Sequence, residues 1–470
     1  MIHRQQFIAK YRNTETFAVS QYIESFSLNN GYWDLLLEKN TVFKQSKIGK
    51  SYVLIGSCFS LRKIECASDL LDECFSIDDV YQKIEFLGGR WVLFWDEYVL
   101  TDFSGNYQLF YGGSSGLIVS SSLFLLSREL NIKVCPDRCV ELEKLGFFPG
   151  PETIYMGLQL LFSFQQIKGK NVKSRPFEIK IIEKNLDYLL NEFTLITKIF
   201  LQNIQNENYR ILLPLTGGVD SRTIFAFLRD LKIKFTSYTT WYAGINLHDL
   251  LVPKILSIFS YKLEYNLIKP SEYNNVKMID FNIHTGRNCV DKDREFYSTN
   301  SYPQHESLRT IMLRGAGWAP FRGYYTKDLE DKSKIEERLN EIMKILPQLN
   351  QCDHALISLK NWLNLLVECK NLDWRYQYYL DQRMNAWDGA LEQAIELAGY
   401  QPIQLVNNHL QVELLYSCYK LDSSVNRSNH LQRRIIFRLN PLINLLPYNF
   451  FKNWKTGIKG KLAIIIKNLF

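Results

Sequence analysis

Along the first 180 residues the apolar positions fall in short β-branched and aromatic runs separated by polar turns. Ser51-Tyr-Val-Leu-Ile, Gly89-Arg-Trp-Val-Leu-Phe-Trp, Glu97-Tyr-Val-Leu-Thr and Leu117-Ile-Val-Ser-Ser each have the length and residue types of a strand. Asp102-Phe-Ser-Gly and Tyr111-Gly-Gly-Ser-Ser-Gly carry turn chemistry between them. The pattern predicts a meander of antiparallel strands in one or two packed sheets, with Phe177-Glu-Ile-Lys-Ile-Ile as its last strand.

From about residue 185 the period lengthens. Leu186 to Asn206 has the spacing of an amphipathic helix, and Tyr209-Arg-Ile-Leu-Leu-Pro-Leu that of a short buried strand. A Thr216-Gly-Gly loop, a helix from Asp220 to Leu231, a strand over Lys234 to Tyr238 and a helix from His248 to Ser260 follow. Alternation of this kind predicts a parallel, doubly wound sheet. Beyond about residue 330 the chain reads as helical, from Lys334 through the Tyr/Trp-rich stretch 374–398 to Ile436. The change of period divides the chain into residues 1–184 and 185–470. The tail from Trp454 to Phe470 is basic and apolar together, which suits a membrane-surface anchor or a terminal helix packed on the core.

Composition narrows the classes. Hydrophobic residues make up 46% and charged residues 22% of 470, the balance of a globular protein. Thirteen Pro and 24 Gly are too few for a collagen-like or linker-dominated chain. A net charge of +7 is mild at this length and points to no nucleic acid. The nine cysteines are scattered without a CxxC, and Cys135 and Cys139 have no second pair at zinc spacing, so reduced thiols are expected. The first residues lack the apolar core of a signal peptide, and no apolar run approaches the roughly 18–20 residues of a membrane helix. A cytoplasmic protein with no membrane span is expected.

The chemistry concentrates in Pro214-Leu215-Thr216-Gly217-Gly218-Val219-Asp220-Ser221-Arg222. The segment joins a buried strand to a helix, at the strand's carboxyl end, where open α/β sheets bind ligands. Gly217 and Gly218 allow close approach of an anion to the backbone; Thr216 and Ser221 add hydroxyls, and the helix aims free N–H groups at the same place. Asp220 would repel a bare phosphate, and a bridging Mg²⁺ resolves the conflict because it takes carboxylate and phosphate oxygens together. Asp220 equally suits a helix N-cap, and a Gly-Gly turn before a helix is often structural.

Ser/Thr-Gly-Gly-x-Asp-Ser after a strand resembles the pyrophosphate-binding loop of the N-type ATP pyrophosphatases. It is not a Walker loop, since no Gly-Lys-Ser/Thr follows. Within that superfamily the chain looks most like the asparagine synthetase and β-lactam synthetase branch. Leu87-Gly-Gly-Arg-Trp-Val-Leu-Phe, Asp102-Phe-Ser-Gly, Leu109-Phe-Tyr and Glu152-Thr-Ile-Tyr-Met-Gly-Leu echo that family's segments in the family's order. The resemblance implies a degenerate glutaminase-like domain of the Ntn-hydrolase type over 1–184. It implies an adenine nucleotide α-hydrolase-like synthetase domain, with a helical C-terminal part, over 185–470. By the same resemblance, Leu215, Thr216, Gly217, Gly218, Asp220, Ser221, Thr239, Asp249 and Gly315 would bind ATP and Asp220 would hold Mg²⁺. Asp249 is otherwise simply a good helix-start residue.

Three departures from the family matter. Ile2 stands where the glutamine-dependent enzymes carry a nucleophilic Cys, so glutamine hydrolysis is not expected. Leu313-Arg-Gly-Ala-Gly-Trp-Ala-Pro-Phe-Arg-Gly-Tyr-Tyr resembles the family's Ser-Gly-Glu-Gly-Ser-Asp-Glu segment, but Ala316 and Ala319 occupy the acidic places. Either Asp291, Asp293, Glu295 or Glu306 compensates, or catalysis is weakened or absent. Arg314 and Arg322 make this loop cationic. A family Lys near the end of the synthetase domain has no counterpart in Asn429-His-Leu-Gln-Arg, where Arg427, His430 or Arg433 would supply the charge. The expected activity is AMP-forming amide ligation between a small-molecule or peptide carboxylate and an amine donor, with Asp220, Arg314 and Arg427 as catalytic groups. A degenerate homologue that binds nucleotide or a partner without turnover is the alternative. A relative that thiolates a tRNA base fits poorly, because no catalytic Cys pair or RNA-binding module is visible.

Overall fold

The structure, a computed structural model, describes residues 4–12, 17–113, 116–176, 178–240, 247–258, 264–268, 275–287, 309–322, 329–367, 373–421 and 429–446. The β-rich portion contains β1 (Phe7–Tyr11), β2 (Ser25–Asn29), β3 (Trp33–Glu38), β4 (Phe43–Gln45), β5 (Tyr52–Ser60) and β6 (Leu87–Trp95). It continues with β7 (Tyr98–Thr101), β8 (Phe110–Gly112), β9 (Ile118–Ser120), β10 (Gln159–Leu160), β11 (Gln165–Lys168) and β12 (Asn171–Ser174). Two six-stranded sheets result, ordered β10-β8-β9-β1-β3-β2 and β12-β11-β7-β6-β5-β4, and every pairing in them is antiparallel. The longest ladder joins β5 to β6, from Tyr52 opposite Trp95 to Ser60 opposite Leu87.

The two sheets pack face to face. Phe7, Trp33 and Leu35 from one meet Val53, Ile55, Val92 and Phe94 from the other. The outer faces are covered too: helices α1 (Ala67–Asp72) and α2 (Ile77–Ile84) lie over Leu54, Trp91 and Leu93 of one sheet. Helices α3 (Leu123–Glu129) and α4 (Pro136–Leu145) cover Ile8, Leu36 and Phe110 of the other. Burial on both faces explains why β5 and β6 read as continuous apolar runs rather than alternating ones. The expected strand over Phe177-Glu-Ile-Lys-Ile-Ile does not form in its described residues, 178–182, and β12 is the last strand of this portion. The segment's backbone is served instead by side chains of a distant helix: Lys180 N donates to Glu413 Oε1 (2.8 Å) and Ile182 N to Ser417 Oγ (2.8 Å).

Helix α5 (Leu186–Asn206), capped by Asn185 Oδ1 accepting from Tyr188 N, opens the second half. There β13 (Arg210–Pro214), α6 (Val219–Asp230), β14 (Thr236–Thr240), α7 (Leu247–Ile258), β15 (Glu264–Ile268), α8 (Asn275–Thr285) and β16 (Thr310–Arg314) alternate as expected. Two helices follow, α9 (Ile335–Ile345) and α10 (Asp353–Leu366). Next comes a nearly continuous helical rod of α11 (Trp374–Tyr378), a π-helical stretch Tyr379–Asp388, and α12 (Gly389–Leu397). A short strand missed in the helical reading, β17 (Gln401–Gln404), precedes α13 (His409–Leu421) and α14 (His430–Leu439). The sheet is all parallel, in the order β15-β14-β13-β16-β17. Ile211, Leu213, Ile311 and Leu313 bury against α5, α6, α13 and α14 on one face, and Leu212, Met312 and Ile395 of α12 pack on the other, so the sheet is doubly wound. This is a mixed α/β fold, and no helix among the described residues is long and apolar enough to cross a membrane.

Contacts cross between the two halves at many points. Helices α9 and α10 pack on the antiparallel half, where Ile342, Leu359 and Trp362 join Leu142 and Phe148. Asn408 Nδ2 donates to the carbonyls of Glu85 (2.8 Å) and Leu87 (2.9 Å), and Asn407 Oδ1 accepts from Gly89 N at 3.1 Å. Trp362 Nε1 donates to Asp381 Oδ2 at 2.8 Å and fastens α10 to the π-helical stretch. Burial pushes the Asp381 carboxyl up to about 7, against the opposing pull of that indole. A carboxyl raised in the folded state binds its proton there while the unfolded chain has lost it, so stability falls as pH rises from about 4 to about 7. The slope for one such group is at most about 1.4 kcal/mol per pH unit. Chemical denaturation at pH 5 and pH 7 checks this: Asp381→Asn should reduce the loss between the two pH values, and an unaltered loss would contradict the burial argument.

Candidate functional site

Residues 214–221 turn the chain from β13 into α6. Gly218 is the N-cap of α6, in extended conformation (φ −70°, ψ 157°) with no side-chain cap hydrogen bond, so the helix start faces outward uncovered by a side chain of its own cap. The loop is held from behind by several elements. Ser221 Oγ accepts from Thr216 N (3.1 Å), and Thr216 Oγ1 accepts from Gly218 N (3.1 Å). Asp249, in the first turn of α7, accepts from Gly217 N at 2.8 Å. The Gly217 carbonyl accepts from the fully buried Arg222 (2.7 Å) and from His248 Nε2 (2.8 Å). Burial, with Arg222 adding to it, holds His248 below the usual imidazole range, which keeps the ring neutral as that donor. Thr239 Oγ1 donates to the Leu215 carbonyl at 2.6 Å.

The loop opens onto a cavity of about 500 Å³. One wall is Pro214, Thr216, Asp220 and Ser221; a second is Arg314, Gly315, Ala316 and Ala319, at and beyond the end of β16. The third wall comes from the π-helical stretch, through Tyr379, Arg383 and Asp388. β13 and β16 are neighbours, with β14 and β15 to one side and β17 to the other, so the chain reverses its winding direction between them. A crevice at the carboxyl ends of two such strands is where doubly wound sheets take ligands, and its volume is that of a small-molecule site. Gly315 permits the close approach of the two loops, because a Cβ there would lie 2.8 Å from Asp220 Cβ.

The cavity's charge is mixed. Asp220 Oδ1 accepts from the buried Gln432 Nε2 of α14 at 2.6 Å. Arg314 pairs with the fully buried Glu392 at 3.1 Å, and the Arg383 guanidinium lies over the Trp387 ring, 3.2 Å from its centroid. Mg²⁺ is commonly held by one or two carboxylates together with substrate phosphates and water. Asp220 and Asp388 are hard oxygen donors on the same cavity and fit a cation arriving with a nucleotide. No group of three or more His, Cys, Asp or Glu able to hold a metal gathers among the described residues.

Of the residues expected at the site, Thr216, Asp220, Ser221, Arg314 and Gly315 line the cavity, and so do both alanines of the departure, Ala316 and Ala319. Leu215 is fully buried in the sheet core. Gly217, Asp249 and Thr239 take part through the loop's internal hydrogen bonds, while Gly218 starts the helix. Ile2, Arg427, Asp291, Asp293, Glu295 and Glu306 lie outside the described residues, as does the side chain of Arg322. His430 and Arg433 are not among the cavity's lining; Gln432, between them on α14, reaches Asp220 instead. Tyr379, Arg383, Asp388 and Gln432 escaped the sequence reading. On an α-helix, with about 3.6 residues per turn, Asp388 would face away from Tyr379. The i→i+5 bonding of a π-helix takes about four to five residues per turn and brings positions 379, 383 and 388 to one face.

Steric room separates the two loop glycines. A Cβ on Gly217 would stand 2.1 Å from His248 Cδ2 and 2.8 Å from the His248 carbonyl, whereas one on Gly218 meets only Thr216 Oγ1 at 3.2 Å. Gly217→Ala should therefore lower stability by about 1–3 kcal/mol, and Gly218→Ala by much less. Thermal melts of both variants check this, and equal melting temperatures would contradict the packing described.

No protein-family profile matches the chain, and no curated protein matches it in sequence. Among solved structures, NMN synthetase from Francisella tularensis is similar at 12% identity with a TM-score of 0.19, over 52% of this chain and 97% of that one. Likeness at that level leaves the function to be argued from the residues of this chain.

Proposed function

We propose that this chain is an ATP-dependent ligase of the asparagine synthetase-like type. It adenylates a substrate carboxylate and passes the acyl group to an amine. The observation that carries this reading is the Thr216–Ser221 loop, set at the switch point of a parallel sheet with the start of α6 opening onto a cavity. The helix N-terminus and the hydroxyls of Thr216 and Ser221 favour phosphate oxygens there. Mg²⁺ bound to Asp220 would neutralise charge on the departing pyrophosphate.

In the first step a carboxylate oxygen bonds to the α-phosphorus as the bond to the β-phosphate oxygen breaks, giving acyl adenylate and pyrophosphate. In the second an amine nitrogen attacks the acyl carbon, AMP leaves with its phosphate oxygen, and the nitrogen gives up a proton. Arg314 and Arg383 would supply positive charge beside the phosphoryl group, and Asp388 is the lining carboxylate that would take the proton. The enzyme acts chiefly through positioning and electrostatics. The helix/sheet/sheet/helix layering of the first half supports a scaffold of glutaminase-like descent over 1–184, beside a synthetase domain over 185–470. Ammonia or a substrate amine is the proposed source of the nitrogen. Modified-peptide, natural-product or surface-glycan biosynthesis fits such an enzyme by analogy alone.

Ala316 and Ala319 on the cavity wall favour a second reading, in which nucleotide binds and is not turned over. Pyrophosphate release from Mg·ATP over a panel of carboxylates separates the two. Release that falls about a hundredfold or more in Asp220→Asn supports ligation. Saturable ATP binding with no release from any carboxylate supports the degenerate reading. Release unchanged by Asp220→Asn removes the assignment of Asp220.

A further inference from the structure

Arg90 lies within β6, a strand of the antiparallel half, yet its guanidinium is engaged by a helix of the other half. It is 4% exposed. Its Nε donates to the Asn106 carbonyl (3.0 Å) and stands 3.6 Å from Glu392 Oε2, while its Nη1 pairs with Glu396. The guanidinium also sits over the Tyr107 ring, 4.6 Å from the centroid. Glu392 and Glu396 are one turn apart on α12 and both buried. The other oxygen of Glu392, Oε1, accepts from Gln404 Nε2 (2.8 Å) and from Arg314 Nη1 (3.1 Å). Arg314 ends β16 and lines the cavity.

Two buried carboxylates thus stand between two arginines, one from each half of the molecule. Burial raises the Glu392 carboxyl, and Arg314 and then Arg90 oppose that shift, so the anion leans first on Arg314. With Arg90 in place Glu392 is shared, and Arg314 keeps part of its charge for the cavity. Without Arg90, Glu396 loses its cation and takes up a proton, and Glu392 is left to Arg314 alone, which it draws towards α12.

We propose that Arg90 and Glu392 are positioning residues that set the place and charge of Arg314 on the cavity wall, so that the antiparallel half completes a site whose substrate it never touches. The relay rests on the reading of the cavity only for what Arg314 acts upon. The chain of contacts itself is independent of that reading. It also gives the first half a task that needs no nucleophile of its own.

The test uses the full chain and has two arms. In the first, the rate at which a dicarbonyl reagent modifies Arg314 is followed by peptide mass spectrometry. Glu392→Gln preserves shape but removes the anion that pairs with the guanidinium and holds it against α12, and should speed modification severalfold. Arg90→Met should slow it, and Arg90→Lys should fall between Arg90→Met and the wild type. In the second arm, pyrophosphate release is measured: Glu392→Gln and Arg90→Met should lower kcat about ten- to a hundredfold with the KM for Mg·ATP little changed. Glu396→Gln combined with Arg90→Met keeps the buried charge balanced and serves as the folded variant if either single change unfolds the chain; it too should alter Arg314 reactivity. A fall in melting temperature with unchanged Arg314 reactivity in the folded variants would mean an ion pair that only joins the halves, and would overturn the proposal. Altered reactivity in a chain that releases no pyrophosphate from any carboxylate would support the relay while the ligase reading fails.

Discussion

The residue after β16 comes so close to the start of α6 that position 315 has no space for a side chain: a Cβ there would meet both the Asp220 Cβ and the backbone of Asp220 and Ser221. Most of the site follows from that approach. It sets the start of α6 against the loop carrying Arg314, Ala316 and Ala319, and the cavity opens where the parallel sheet reverses its winding. The π-helical stretch closes the third side. Ten residues of i→i+5 bonding are an unfavourable way to build a helix, and such stretches gather at functional sites.

The loop arrives at this place already shaped. Arg222, His248, Asp249, Thr239 and Ser221 each hold one of its backbone groups, so little ordering is left for a ligand to impose. Asp249 is instructive. The resemblance read in the sequence made it an expected ATP contact, and its carboxylate oxygen is found on Gly217 N, inside the loop's own support. Asp249 and Thr239 both act on the loop's conformation.

How much of this was legible depended on how local the physics was. Helix α5 was found to the residue because its amphipathic period is a sequence-local signal. The Gly-Gly loop was legible because a strand, a turn and a helix start are each marked by residue type. β17 was not: Gln401-Pro-Ile-Gln is four residues with a proline, and only its place at the sheet edge beside β16 makes it a strand. The segment after Phe177 erred the other way, with strand-like residues whose backbone bonds are taken by Glu413 and Ser417 more than two hundred positions later. Gln432 reaches Asp220 from a helix near the end of the chain, and Asp388 joins Tyr379 only through a change of helical period. None of these has a signal in neighbouring residues.

A crystal structure of the full chain with Mg²⁺ and an ATP analogue blocked between the α and β phosphates tests the central claim most directly. The β and γ phosphates should lie on residues 216–221 at the start of α6, with the α-phosphorus facing the wall of Arg314 and Gly315. Nucleotide bound elsewhere, or phosphates turned away from α6, would contradict it.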